Sequence, residues 1–269
     1  MATIEELAKF CQGYDPWSLA AFYNWVAESE GIKLPPHLWP VCLALCDVRI
    51  RNLSIILGPG SGKSFLVSTV YPAWLIGHDP TETFLAISAG ENLPNGFMLS
   101  VMRIIEHADA FKFSFPNAKP DKNAGWSTER GIFVTGHSPA VPDANYFGCG
   151  LGSSALTGKH ARNVICDDIH DKNNAATTDL CKKVITDYHT TVLGRAVATG
   201  TRFITAGRRW NNEDLYGALE TSGHYVTMKL PYEREGSEDL YWDVTVPGGL
   251  ECVFTDRKVL CKDQKWVDV

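Results

Sequence analysis

The stretch "IILGPGSGKSFL", residues 55 to 66, runs an apolar segment directly into a glycine-rich turn, then a lysine and a serine. Three glycines within residues 58 to 62 leave backbone N–H groups uncovered by side chains. A helix opening at that point adds the positive end of its dipole to the same small volume. Phosphate is what such a volume suits. The pattern predicts a buried strand over 53–57, a turn over 58–62 and a helix over 62–76. Gly58, Pro59, Gly60, Ser61, Gly62, Lys63, Ser64 and Phe65 then form a nucleotide-binding set. Lys63 reaches the β- and γ-phosphates, and the Ser64 hydroxyl takes a place on Mg²⁺. The full pattern calls for glycine where Leu57 stands, so only Gly60 to Ser64 match strictly. The competing reading is a plain strand-to-helix turn with an exposed lysine.

At 269 residues and 45% hydrophobic composition, the chain can bury one large core, or one core with a small addition. No apolar run reaches transmembrane length, and "MATIEELAKFC" opens with acids rather than a basic leader, so a soluble intracellular protein is expected. The eight cysteines include no C-x-x-C pair and several lie in apolar runs, which reads as reduced packing residues rather than a zinc site. A net charge of −6 argues against a protein that coats nucleic acid on its own, though a local basic patch stays open.

Helical spacing covers 3–11, 16–30 (Trp17, Ala21, Trp25 and Val26 on one face) and 37–47, making a helical segment over 1–50. Beyond it the reading alternates. Strands are predicted at 83–88, 131–134, 144–148, 162–166, 202–206 and 225–230, with helices at 92–107, 177–192 and 212–221. Such alternation implies an α/β core over 51–232 built on a mostly parallel sheet flanked by helices. From 233 to 269 the rhythm is lost, and that tail reads as a hinge or linker, or the start of something missing.

In "RNVICDDIHDKNN", residues 162 to 174, a compact strand ends in two adjacent carboxylates at the sheet edge where ligands of open α/β sheets bind. Asp167 is the candidate for holding Mg²⁺, and Asp168 for orienting and deprotonating an attacking water. The alternative is that both merely cap the next helix. In "RFITAGRRWNNEDLYG", residues 202 to 217, Thr205 at a strand end is a candidate γ-phosphate sensor, and Arg208 or Arg209 a candidate for answering developing charge. A surface turn over a packed Trp210 competes with that reading, for Arg208 above all. Upstream of the loop, His37 and Trp39 are candidates for flanking an adenine, against the alternative of a helix packing its Trp inward. The other histidines lack metal-ligand spacing and read as solvated or packed.

Taken in order, "PHLWPVCLAL", "IILGPGSGKS", "LTGKHARNVICDDIHDKNN" and "TAGRRWNNEDLYG" resemble the ATPase domain of the large terminase subunit of tailed bacteriophages, over about residues 35 to 230. The resemblance implies a P-loop NTPase of the additional-strand, catalytic-glutamate (ASCE) type, which hydrolyses ATP with Mg²⁺ to drive double-stranded DNA into a capsid. It implies Lys63, Asp168 and Arg162 as catalytic, Ser64 and Asp167 as metal ligands, and Thr205 with Arg209 as the coupling segment. Members often show "GTRW" where this chain has Gly-Arg-Arg-Trp. Some carry an arginine four residues before the lysine, where this chain has Pro59, so transition-state charge must be met elsewhere. Arg162, then Lys159, are the candidates for a finger reaching a neighbouring subunit. The implied partners are DNA, a portal protein, a small terminase subunit and further copies of the chain in a ring, pentameric on the motor. The implied place is the host cytoplasm, with no membrane. Full-length members add a nuclease domain, which the tail would begin, so nuclease activity is not expected of these residues. Two other classes compete. A nucleoside or small-molecule kinase would want an arginine-rich lid, whereas residues 110 to 160 are rich in glycine and asparagine. A nucleotide-binding switch would not need the second carboxylate.

Overall fold

The computed structural model describes residues 3–197, 200–230, 241–247 and 265–267. Three helices come first. α1 (Ile4–Cys11) opens on a capping box, in which the Thr3 hydroxyl accepts from the Glu6 N–H and the Glu6 carboxylate accepts from the Thr3 N–H. α2 (Pro16–Val26) is capped by Asp15, and α3 (Trp39–Cys46) follows a short 3₁₀ turn. α2 buries Leu19, Phe22 and Tyr23, not the expected stripe of Trp17, Ala21, Trp25 and Val26. Its apolar residues run nearly all round, so the partner surface rather than the period selects the face. Trp17 stays 43% exposed, its ring 4.2 Å from that of Trp39.

β1 (Asn52–Ile56) leads through the glycine turn into α4 (Lys63–Phe65), a π-helical turn over Leu66–Val70 and α5 (Tyr71–His78). A single regular helix was expected there, and Pro72 explains the difference. Proline has no N–H for the carbonyl four residues back, which is Ser68, and its ring crowds that carbonyl. The Ser68 carbonyl accepts instead from the Tyr146 hydroxyl at 2.8 Å.

Then come β2 (Phe84–Ser88), α6 (Asn92–His107), α7 (Asp109–Ser114), β3 (Trp126–Ser127), β4 (Gly131–Ile132), β5 (Tyr146–Gly150) and β6 (Asn163–Asp167). The chain closes with α8 (Thr178–Asp187), β7 (Arg202–Gly207), α9 (Leu215–Ser222), β8 (Val226–Lys229), β9 (Tyr241–Thr245) and β10 (Lys265–Val267). All ten strands form one sheet in the order β10-β9-β8-β1-β7-β6-β2-β5-β4-β3. The six from β8 to β5 are mutually parallel, while β9, β10, β4 and β3 extend the two flanks antiparallel. Strands β2, β5, β6 and β7 are buried along their whole length, as expected where helices cover both faces of a parallel sheet.

Within residues 233–269 the described residues include two strands of the sheet: β9 pairs with β8, and Trp242 and Val244 enter the core. The remainder of that tail lies outside the described residues, as do Cys252 and Cys261. Six described cysteines carry free thiols, and burial raises that of Cys11 to about 11. Among the described residues no helix is long and apolar enough to cross a membrane.

Candidate active site

The parallel strands all end at one edge, and the loop after β1 meets the ends of β2, β6 and β7 there. Leu57 still belongs to the sheet. Its N–H donates to the Gly207 carbonyl at 2.9 Å and its side chain is buried, so this position has no need of glycine. The chain turns at Gly60 (φ 73°) and Gly62 (φ 82°), left-handed conformations that side chains rarely adopt. His37 supports the turn from behind, its Nε2–H donating to the Ser61 carbonyl at 2.8 Å. Trp39 packs on Trp17 instead of standing beside it.

Lys63 is only 5% exposed, yet its nearest carboxylate oxygen, Asp168 Oδ1, stands 3.9 Å from Nζ. A buried ammonium so loosely paired has capacity left for an anion. Asp167 is engaged closely. The Ser64 Oγ donates to its Oδ1 at 3.1 Å and the Ser68 Oγ to its Oδ2 at 2.6 Å. Burial is the main reason its carboxyl is pushed up to about 6, with the charge of Asp168 adding to it and the serine hydrogen bonds and Lys63 opposing.

Among the described residues Asp168 is the one non-glycine with positive φ, at 46°. The turn is clamped: its N–H donates to the Ala206 carbonyl and its carbonyl accepts from the Ala89 N–H. Strain held this way at a sheet edge aims a side chain. The capping alternative fails, because Thr177 caps α8 and Asp171 accepts from the N–H groups of Asn173 and Asn174 in the turn between.

A cavity of about 450 Å³ opens at this point, walled by Pro59 and Lys63, by residues 88 to 93 at the end of β2 and beyond it, by Asp168, His170 and Asp171, and by Arg208 and Trp210. The hydroxyls of Ser61 and Ser88 are buried without a hydrogen-bond partner. His170 is fixed as a neutral ring, since its Nε2 accepts from the Leu215 N–H, its Nδ1 faces Asn174 Oδ1, and burial lowers its pKa. Ser88 and Glu91 were not singled out in the sequence. Their signal was "ISAGEN", a strand end rich in small residues, which gains meaning only once β2 is known to lie beside β6.

Other expected site residues fall elsewhere. Thr205 pairs in register with Cys166, and Asp167 with Ala206, so the side chains of Thr205 and Asp167 leave opposite faces of the sheet. The Thr205 hydroxyl is buried in the strand with no partner and does not line the cavity. Arg209 turns inward, pairing with the fully buried Asp214 at 2.9 Å and with Glu220 at 3.2 Å. Its guanidinium fills the space a side chain at Gly217 would take, which explains that glycine in "EDLYG". Arg208 is the arginine on the cavity wall, 3.9 Å over the Trp210 ring. Arg162 lies at the opposite edge of the sheet. There its Nη1 bonds the Thr81 hydroxyl at 3.0 Å and faces Glu82 at 3.6 Å and Asp79 at 3.8 Å, away from the site of its own chain. Lys159 rests over the Phe147 ring.

Among the described residues no group of three or more His, Cys, Asp or Glu side chains is arranged to hold a metal on protein ligands alone. The Ser64 hydroxyl and the Asp167 carboxylate are hard oxygen donors side by side, the kind of partial set that Mg²⁺ completes with water and substrate phosphates.

No family model matches the chain. It is similar to the terminase large subunit of Enterobacteria phage T3, with 28% identity over 203 residues, covering 73% of this chain and 33% of that protein. The relationship is terminase-like and distant, and the chain spans about a third of the length of the relative it matches.

Proposed function

We propose that this chain is the Mg²⁺-dependent ATPase of a phage DNA-packaging motor. The observation that carries the reading is the meeting of a buried, loosely paired Lys63 and the strained Asp168 on one cavity at the end of a parallel sheet, with the bonded Ser64–Asp167 oxygen pair next to them in the chain. The strand order supports it too, because β7 stands between the loop-bearing β1 and the acid-bearing β6, the inserted strand of an additional-strand P-loop fold. A kinase is disfavoured, since the glycine- and asparagine-rich stretch from which a lid would have to come includes β3, β4 and β5 of the sheet.

The N–H groups of the glycine turn and the Lys63 ammonium receive the β- and γ-phosphates of ATP. When bound, Mg²⁺ neutralises charge on those phosphates, and Ser64 and Asp167 are the protein groups that would hold it. Asp168 accepts a hydrogen bond from a water in line with the γ-phosphorus. As the water oxygen bonds to phosphorus, the bond to the β–γ bridging oxygen breaks, ADP leaves with that electron pair, and the water proton passes to the Asp168 carboxylate. Double-stranded DNA, a portal protein, a small terminase subunit and further copies of this chain in a pentameric ring are the partners of that work, in the host cytoplasm.

Phosphate release from ATP, measured against protein concentration with and without DNA, tests the reading. Hydrolysis that requires Mg²⁺ and disappears in Lys63→Ala is expected. Transfer of phosphate to an added nucleoside would replace the motor with the kinase.

A further inference from the structure

A second cation, Arg208, lines the same cavity as Lys63, and its surroundings differ from those of Arg209 beside it. Arg209, its neighbour in sequence, is consumed by Asp214 and Glu220, and the same Asp214 accepts from the Trp210 N–H at 2.7 Å. The turn that carries Arg208 is therefore anchored from below through a buried carboxylate. Among the described residues Arg208 itself forms no ion pair, and its guanidinium carbon stands over the Trp210 ring, 3.9 Å from its centre. Stacking of this kind holds a guanidinium in place while leaving its edge N–H donors unspent. Pro59, on the phosphate loop, lines the same cavity and contributes no charge to it.

We propose that Arg208 is a catalytic residue: its guanidinium, held on Trp210, contacts the γ-phosphate of the nucleotide bound by the same chain and neutralises the charge spread over its equatorial oxygens in the transition state. The inference rests on the ATPase reading above, and it makes the finger a cis element with Arg209 as its scaffold. The charge on those oxygens grows between ground state and transition state, so the contact strengthens during the reaction and acts on turnover more than on binding.

The test measures ATP turnover, ATP affinity and the affinity for ADP with aluminium fluoride, a mimic of the transferring phosphoryl group, in the full chain and its variants. Arg208→Ala is expected to lower kcat by ~10²- to 10⁴-fold and to weaken the ADP–aluminium fluoride complex, while ATP affinity stays within about 3-fold. Arg208→Lys keeps the charge without the fork and should fall between. Pro59→Arg added to Arg208→Ala supplies a guanidinium from the facing wall and is expected to restore part of the lost turnover. A purely packing role would yield no such rescue. Mixing Arg208→Ala with Lys63→Ala should restore nothing, because both groups serve one site. An Arg208→Ala enzyme within 3-fold of the parent kcat, or recovery on mixing, overturns the cis assignment and leaves the ATPase reading standing. A parent chain that hydrolyses no ATP under any of these conditions overturns both.

Discussion

Two cavities lie at opposite edges of the same sheet, and both are lined with charge. The one at the strand C-termini, about 450 Å³, holds Lys63, Asp168 and Arg208. The other, about 340 Å³ at the N-terminal edge, holds Arg51, Glu82, Arg162 and Arg202. They differ in how far the charges are already satisfied. At the N-terminal edge Glu82 takes the Asn163 amide at 2.7 Å and faces Arg162, while Arg202 donates to the carbonyls of Ala44, Leu45 and Asp47 at the end of α3. Glu82, Arg162 and Arg202 serve there as braces, although the Arg202 Nε is left without a partner. At the C-terminal edge Lys63 has one carboxylate at 3.9 Å, Arg208 has only a ring beneath it, and two serine hydroxyls are unpartnered. Unspent bonding capacity, more than the number of charged groups, separates a place for a ligand from a place for structure.

The sharpest way to break this contrast is Lys63→Ala. It should lower ATP turnover by ~10³-fold or more with the fold intact, as read by phosphate release and circular dichroism. Next in size is Asp168→Asn, which should cost ~10²-fold or more in kcat with nucleotide binding retained. Asp168→Gly, which accepts the φ of 46° without strain, should be as inactive but no less stable to heat.

Asp167 sharpens the contrast through pH. Its folded-state pKa, about 6, lies above its ordinary value of 3.8. Between those values the folded protein holds a proton that the unfolded chain has lost, so this group's contribution to stability is complete below about pH 4 and declines until about pH 6. At pH 7 without ligand, Asp167→Asn should therefore stabilise the chain by on the order of 1–3 kcal/mol, and urea unfolding at pH 4 and pH 7 reads the difference. The smallest effect belongs to the braced edge. Arg162→Ala loses partly exposed ion pairs worth about 0.5–1 kcal/mol, lowering Tm by roughly 1–3 °C, with kcat expected within 3-fold of the parent. A collapse of turnover in Arg162→Ala would instead give that residue a reach into a neighbouring subunit.

Local patterns made much of this legible. Val164 to Cys166 are apolar and lead straight into two acids, and "GSGKS" fixes a turn whatever surrounds it. The choice between Arg208 and Arg209 was not legible, because it depends on Asp214 lying folded beneath the turn and on the room left at Gly217. Thr205 misled for a related reason: proximity to a strand end says nothing of which face a side chain leaves. The inward face of α2 was decided by what packs against a helix apolar on nearly every side. The π turn was within reach, since Pro72 sits four residues after Ser68.

The support behind the glycine turn after β1 reaches further than the turn. The Trp242 indole N–H, on β9, donates to the carbonyl of His37 at 3.0 Å, and the ring of that same histidine holds Ser61. A pull that peels the last-but-one strand from the sheet withdraws the indole, and the next grip on that line is the backbone at Ser61. Mechanical load on the flank of the sheet thus arrives at the glycine turn through two hydrogen bonds and one imidazole.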